Sequence, residues 1–224
     1  MAKIYALQAK EVFDSRGIPT IELLLWLDNG FSTITTVPTH TDKNQFDAIA
    51  LRDNDERFLG LGVAKAVNHI NQIIAPQIIE KEVTAQGELD KILLELDGTA
   101  NKSRLGANAL LAVSQAILKA GAISVGLPLY EYIQKKYNLI QEFVLPTCIV
   151  TAFDGGSHGG KNLDFQEFSL IPASHLSLEK SLEMIAVIKQ KLETLLINKG
   201  AIHATGLTGG FTPNLYKNLD AFEL

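Results

Sequence analysis

Four glycines fall within six residues in Gly155-Gly156-Ser157-His158-Gly159-Gly160, which stands between two apolar runs, 145–153 and 165–172. Helix and strand interiors do not tolerate glycine at that density, so the segment is a loop; its paired glycines permit a sharp turn and close approach of backbone to a ligand. The flanking runs read as strands. His158 and Glu167 are thereby placed on facing strand ends, as on the rim of a site. By themselves the same six residues fit a solvated surface loop equally well.

Upstream, 4–12 and 20–27 read as strands, and Asp28-Asn29-Gly30 supplies a tight turn into a third at 31–37. Three antiparallel strands follow. Pro38 opens a polar loop, Thr39-His40-Thr41-Asp42-Lys43-Asn44-Gln45. His40 and Asp42 are too few donors for a metal site, which needs more ligands than two loop side chains provide. Apolar residues then recur at helical spacing from Val63 to Ile74, halted by Pro76, and again over 84–96 with Leu89, Ile92, Leu93 and Leu96 on one face. The alanine-rich segment 105–123 is apolar around much of its circumference, so it is expected at the centre of the unit. A fourth helix, 128–137, starts at a proline and ends in Lys135-Lys136, favourable at a helix carboxyl end.

Apolar periodicity breaks over 138–143, which predicts a boundary giving domains 1–142 and 143–224. In the second, a helix over 177–198 starts at Ser177 with Glu179 in its first turn and ends at Gly200. The segment 201–207 is expected as a third strand of the same sheet, an unpaired parallel edge that invites another chain.

The net charge of −5 and pI near 5.5 argue against a nucleic-acid groove, which needs clustered Lys and Arg. The lone Cys148 forms no internal disulfide and reads as a small buried hydrophobe in a reducing compartment. The amino terminus lacks the apolar core of a signal peptide, and no run reads as membrane-spanning, so a cytoplasmic protein is expected.

Gly-Gly-Ser-His at 155–158, Gln166-Glu167-Phe168, and Thr208-Gly209-Gly210-Phe211-Thr212-Pro213-Asn214, in that order, resemble the first part of the catalytic barrel of enolase, the phosphopyruvate hydratase of glycolysis and a lyase. Phe13-Asp14-Ser15-Arg16-Gly17-Ile18-Pro19-Thr20 and Leu94-Glu95-Leu96-Asp97-Gly98-Thr99 resemble that family's amino-terminal domain, so the resemblance runs the length of the chain. It implies an α+β amino-terminal domain, a three-stranded antiparallel sheet plus helices, followed by an incomplete α/β barrel of the TIM type. By the same resemblance His158 matches the family's active-site histidine, Glu167 a glutamate that assists loss of the hydroxyl, and Gln166 the glutamine before it. Arg16 matches an arginine that serves the dimer interface.

Three positions depart from the family pattern. Asp42 fills the place of a lid serine that coordinates the second magnesium, and His40 and Asn44 replace two lid glycines, which restricts closure. Thr208 stands where a partner glutamate precedes Gly-Gly-Phe, with Leu207 in place of the aspartate before it. A threonine hydroxyl does not donate a proton at neutral pH as a tuned carboxylic acid does. The family's magnesium carboxylates and lysine base align beyond Leu224. The leading expectation is therefore a non-catalytic binding or scaffold protein with no cofactor, magnesium entering only if the family activity is retained. It is expected to associate with itself or with a protein partner, a full-length enolase among the candidates. Two other readings stay open: one part of a split phosphopyruvate hydratase acting on 2-phosphoglycerate, and an anion sensor, which the carboxylate of Glu167 disfavours.

Overall fold

The computed structural model describes residues 2–39, 44–139 and 142–224, and divides into two compact units, Met1–Gln141 and Glu142–Leu224. His40 and Asp42 lie outside the described residues.

In the first unit β1 (Ile4–Phe13), β2 (Pro19–Leu27) and β3 (Ser32–Thr36) form an antiparallel sheet in that order. Register puts Leu7 opposite Leu25, Ala9 opposite Leu23, and Leu23 in turn opposite Thr35. The two-residue period of a strand sends Ile21, Leu23, Leu25 and Leu27 of β2 to one face, where all four are buried, while Glu22, Leu24 and Trp26 on the other face stay half-exposed.

The helices cover the buried face. α1 (Ala64–Asn68) runs through a widened π turn, His69–Ile74, into α2 (Ala75–Ile78). The helix therefore passes Pro76 and ends two residues later, contrary to the expected halt. A proline breaks a helix by removing one backbone donor and crowding the turn before it; here that turn is the π segment, where such irregularities are absorbed. α3 (Gln86–Asp97) stops at Gly98, whose φ of 68° closes the helix in the left-handed conformation that glycine adopts most readily. α4 (Ala107–Ser124) lies against β2 and β3. Its Ala109, Ala112, Val113, Ala116, Ile117 and Ala120 are wholly buried, which gives the central position the sequence predicts. By length and composition this helix could cross a bilayer, a segment the sequence reading did not flag; half of it is buried in the core, which accounts for its apolar character. α5 (Leu129–Tyr137) follows Pro128 and ends at Asn138.

Asp97 ties the loop after α3. Its carboxylate accepts from the amides of Leu105 (2.7 Å) and Thr99 (3.0 Å) and from the Thr99 hydroxyl. Burial acts to raise its pKa, but these donors outweigh it and hold the carboxyl below its ordinary value.

In the second unit β4 (Val150–Asp154) and β5 (Glu167–Leu170) pair antiparallel, with Phe153 opposite Phe168 and Asp154 opposite Glu167. The expected strand 145–153 begins only at Val150. Residues ahead of it have no sheet partner, so Leu145 and Ile149 are exposed and Cys148 is half-buried rather than buried. The expected third strand, 201–207, is likewise corrected. The place beside β4 is taken by Phe211, whose amide donates to Ala152 O (2.9 Å) and whose carbonyl accepts from the Asp154 amide (2.9 Å), a single parallel bridge. Of the predicted segment only Thr205 pairs, and it pairs antiparallel with Phe211. The glycines at 206, 209 and 210 turn the chain back at this point, which leaves too short a run for a ladder. No closed barrel forms among the described residues.

α6 (Leu178–Asn198) begins at Ser177, whose Oγ accepts from the Lys180 amide at 3.3 Å. It lays Leu192 and Leu196 on Ala152, Phe153, Phe168 and Phe211, and a short α7 (Asn218–Glu223), unforeseen in the sequence, adds Ala221 to that core.

Candidate functional site

β4 ends at Asp154 and β5 begins at Glu167, opposite each other in the ladder, so the glycine loop between them must return over the end of its own hairpin. It does so through a tight turn at Gly156–His158. The Gly159 amide donates to Gly155 O (3.0 Å) and the Gly155 amide to Gln166 O (2.8 Å), which closes the loop on itself.

This geometry brings His158, Gln166 and Glu167 together. His158 Nδ1 lies 3.3 Å from Glu167 Oε1, and the Gln166 side-chain nitrogen sits against the imidazole, 3.1 Å from Nε2 and 3.2 Å from Nδ1. The His158 and Glu167 side chains are 26% and 37% exposed, so solvent and small molecules reach both. An imidazole beside a carboxylate is a pair able to hold or move a proton.

Behind them lies Asp154, to which the sequence reading assigned no role. It is 1% exposed, and its carboxylate accepts from the Thr208 amide (3.2 Å), the Gly210 amide (3.0 Å) and the Thr208 hydroxyl. A buried carboxylate needs such donors to remain in place. The turn that supplies them fits closely: a Cβ on Gly206 would stand 2.6 Å from His158 O and 2.7 Å from Asp154 Cβ. From the other side Lys189 on α6 donates to Gly209 O (2.6 Å) and Thr151 O (3.3 Å) and lies over the Phe211 ring. The sequence signal for Asp154 was an acid at the buried end of an apolar strand, beside two glycines. For Lys189 no local signal existed, because its partners lie 20 and 38 residues away.

Thr208 is thus 54 residues from Asp154 in sequence and bonded to it in space, with its hydroxyl committed to that bond. Asp154, His158 and Glu167 offer one ligand atom each within 4.8 Å of one another, the group among the described residues that could share a cation. Arg16 is elsewhere, in the first unit. Its guanidinium reaches Asp14 Oδ2 (3.3 Å) and Thr39 O (3.4 Å) and stays 40% exposed. Asn44 donates its amide to Asp47 Oδ2 (2.9 Å).

Two family models match the chain. That described as "Enolase, N-terminal domain" covers residues 4–133, and that described as "Enolase, C-terminal TIM barrel domain" covers residues 142–224. Together they take in both units and every side chain of the rim, and the chain belongs to the enolase family.

Proposed function

We propose that this chain is an enolase-like protein that does not by itself interconvert 2-phosphoglycerate and phosphoenolpyruvate, and that it acts by association, with a second copy or with a protein partner such as a full-length enolase. The observation that carries this reading is the Thr208–Asp154 bond. Departure of a hydroxyl as water requires an acid poised to donate, and at the position of the family's second carboxylic acid stands an alcohol that already donates to a buried carboxylate. Glu167 remains, but a lone carboxylate beside His158 does not replace the pair.

Association is supported by the apolar surface of the second unit, where Val144, Leu145, Ile171, Tyr216 and Phe222 are each more than 60% exposed. Large apolar side chains left exposed in this number are what a contact surface offers a partner. A cytoplasmic setting belongs to the same proposal.

The test is a magnesium-supplemented assay of the purified chain with 2-phosphoglycerate, free of host enolase, alongside its mass by light scattering. We expect no turnover and a mass above that of one chain, or a complex with a partner drawn from native extract. Unaided turnover overturns the reading, and so does a monodisperse monomer with no partner.

One observation favours a second reading. His158, Gln166 and Glu167 keep a clustered arrangement, as they would in one part of a split phosphopyruvate hydratase completed by another chain. A complex purified from the source that turns over substrate, and loses this on Glu167→Gln, selects it.

A further inference from the structure

Glycine follows an aspartate or asparagine at three places in the chain, Asn29-Gly30, Asp97-Gly98 and Asp154-Gly155, and Asn29 is the one asparagine with glycine after it. Such a pair is able to close on itself, because a glycine has no Cβ to hinder its nitrogen as it approaches the preceding side-chain carbonyl carbon. The fold separates the three. Asp97 and Asp154 are 1% exposed, and backbone amides and a threonine hydroxyl hold each carboxylate. Groups so fixed do not turn toward the next nitrogen.

Asn29 differs in each respect. With Asp28 and Gly30 it is exposed at the tip of the turn joining β2 to β3. Gly30 stands at a φ of 87°, and a Cβ built on it would meet nothing within 4 Å, so the tip has room for a ring. The Phe31 amide donates to Asn29 Oδ1 at 3.3 Å, an Asx turn that curls the side chain back along the Gly30 backbone and draws electrons from its carbonyl carbon. One bond opposes reaction, from the Gly30 amide to Leu27 O at 3.1 Å. It lies at an exposed hairpin tip, where opening is local and leaves the sheet folded.

We propose that Asn29-Gly30 is a site of spontaneous deamidation, with water as its co-reactant. The Gly30 nitrogen gives its proton to hydroxide and attacks Asn29 Cγ. The bond from Cγ to the side-chain nitrogen breaks, ammonia leaves with a proton taken from water, and a cyclic succinimide remains. Water then opens the ring at one of its two carbonyl carbons. Opening at Cγ gives aspartate; opening at the main-chain carbonyl carbon gives isoaspartate, whose backbone runs through the former side chain and is one carbon longer. Either product adds a negative charge beside Asp28. Isoaspartate also lengthens the turn that the Leu27 amide closes on Phe31 O at 2.8 Å.

The experiment incubates the purified full chain at mildly alkaline pH and follows released ammonia, ion-exchange retention and a peptide map. We expect one ammonia per chain, an acidic species that forms faster as pH rises, and aspartate or isoaspartate mapped to residue 29. In the isoaspartate form the Leu27 amide should exchange faster. Asn29→Gln, whose longer side chain closes the ring far less readily, should lose the acidic species. The map reads the unaltered chain, so it does not depend on a variant folding. Absence of ammonia, an acidic species forming equally fast in Asn29→Gln, or modification mapped to Asp97, Asp154 or another asparagine in place of Asn29 each overturns the proposal.

Discussion

The hydroxyl of Thr208 donates to the buried carboxylate of Asp154, across 54 residues of chain. With the amides of Thr208 and Gly210 on the same carboxylate, the bond fastens the turn beyond α6 to the end of β4. Thr208 thus closes this corner of the fold. Its hydroxyl is a structural donor.

Thr208→Val keeps the shape of the side chain and deletes the donor, leaving a buried oxygen short of a partner. We expect a loss of about 1–3 kcal/mol by urea unfolding. Thr208→Glu sets a carboxylate against a carboxylate, so the loss should be larger and no dehydration of 2-phosphoglycerate should appear. A Thr208→Glu variant as stable as the parent would contradict the role of this bond.

Gly206→Ala and Gly87→Ala form a matched pair. The first places a methyl 2.6 Å from His158 O, while the second, near the start of α3, meets nothing within 4 Å. Overpacking should cost Gly206→Ala about 1–3 kcal/mol. Gly87→Ala should be neutral or stabilising by up to about 1 kcal/mol, because the unfolded chain loses freedom and the helix gains propensity. Thermal midpoints compare the two directly.

Asp14 titrates at about 2, pulled below the ordinary carboxylate value first by the Ile18 amide and then by the Arg16 amide, the Thr39 side chain and the Arg16 side chain, against an opposing effect of burial. A depressed carboxyl stabilises the fold fully above its unfolded value and loses that contribution as pH falls through the folded one. Unfolding free energy should therefore decline between about pH 4 and pH 2, and the decline should be shallower in Asp14→Asn. An Asp14 carboxyl resonance with its midpoint near the unperturbed value would refute the assignment.

Ser177→Ala removes the side chain that accepts the Lys180 amide at the start of α6. The cost should be about 1 kcal/mol, visible as earlier amide exchange in the first turn of α6, with the exchange of α4 unaffected. Faster exchange throughout α4 would show a wider disturbance than a cap can cause.

Periodicity made most elements legible. The alternation in β2, the helical spacing of α3, the alanine-rich face of α4 and the serine before α6 are local signals, because each depends on residues within one or two turns of one another. Pro76 misled for a local reason as well: proline halts most helices, and nothing in the sequence marked the π turn that accommodates it. The 201–207 segment failed differently. Its composition permits a strand, but a strand exists only where a neighbour offers hydrogen bonds, and Phe211 reached β4 instead.

At the rim, the glycine density and the order of His158, Gln166 and Glu167 were readable, since a loop between two paired strands returns both ends to one place. Asp154 was not, and neither was the purpose of Thr208. Sequence alone determined where the chain can turn, which faces are apolar and which chemical groups stand near the hairpin's end. Tertiary structure alone decided which of those groups are buried and with whom they are bonded, because desolvating a carboxylate is tolerable only where distant amides and a hydroxyl converge on it, and convergence across 54 residues leaves no trace in local spacing.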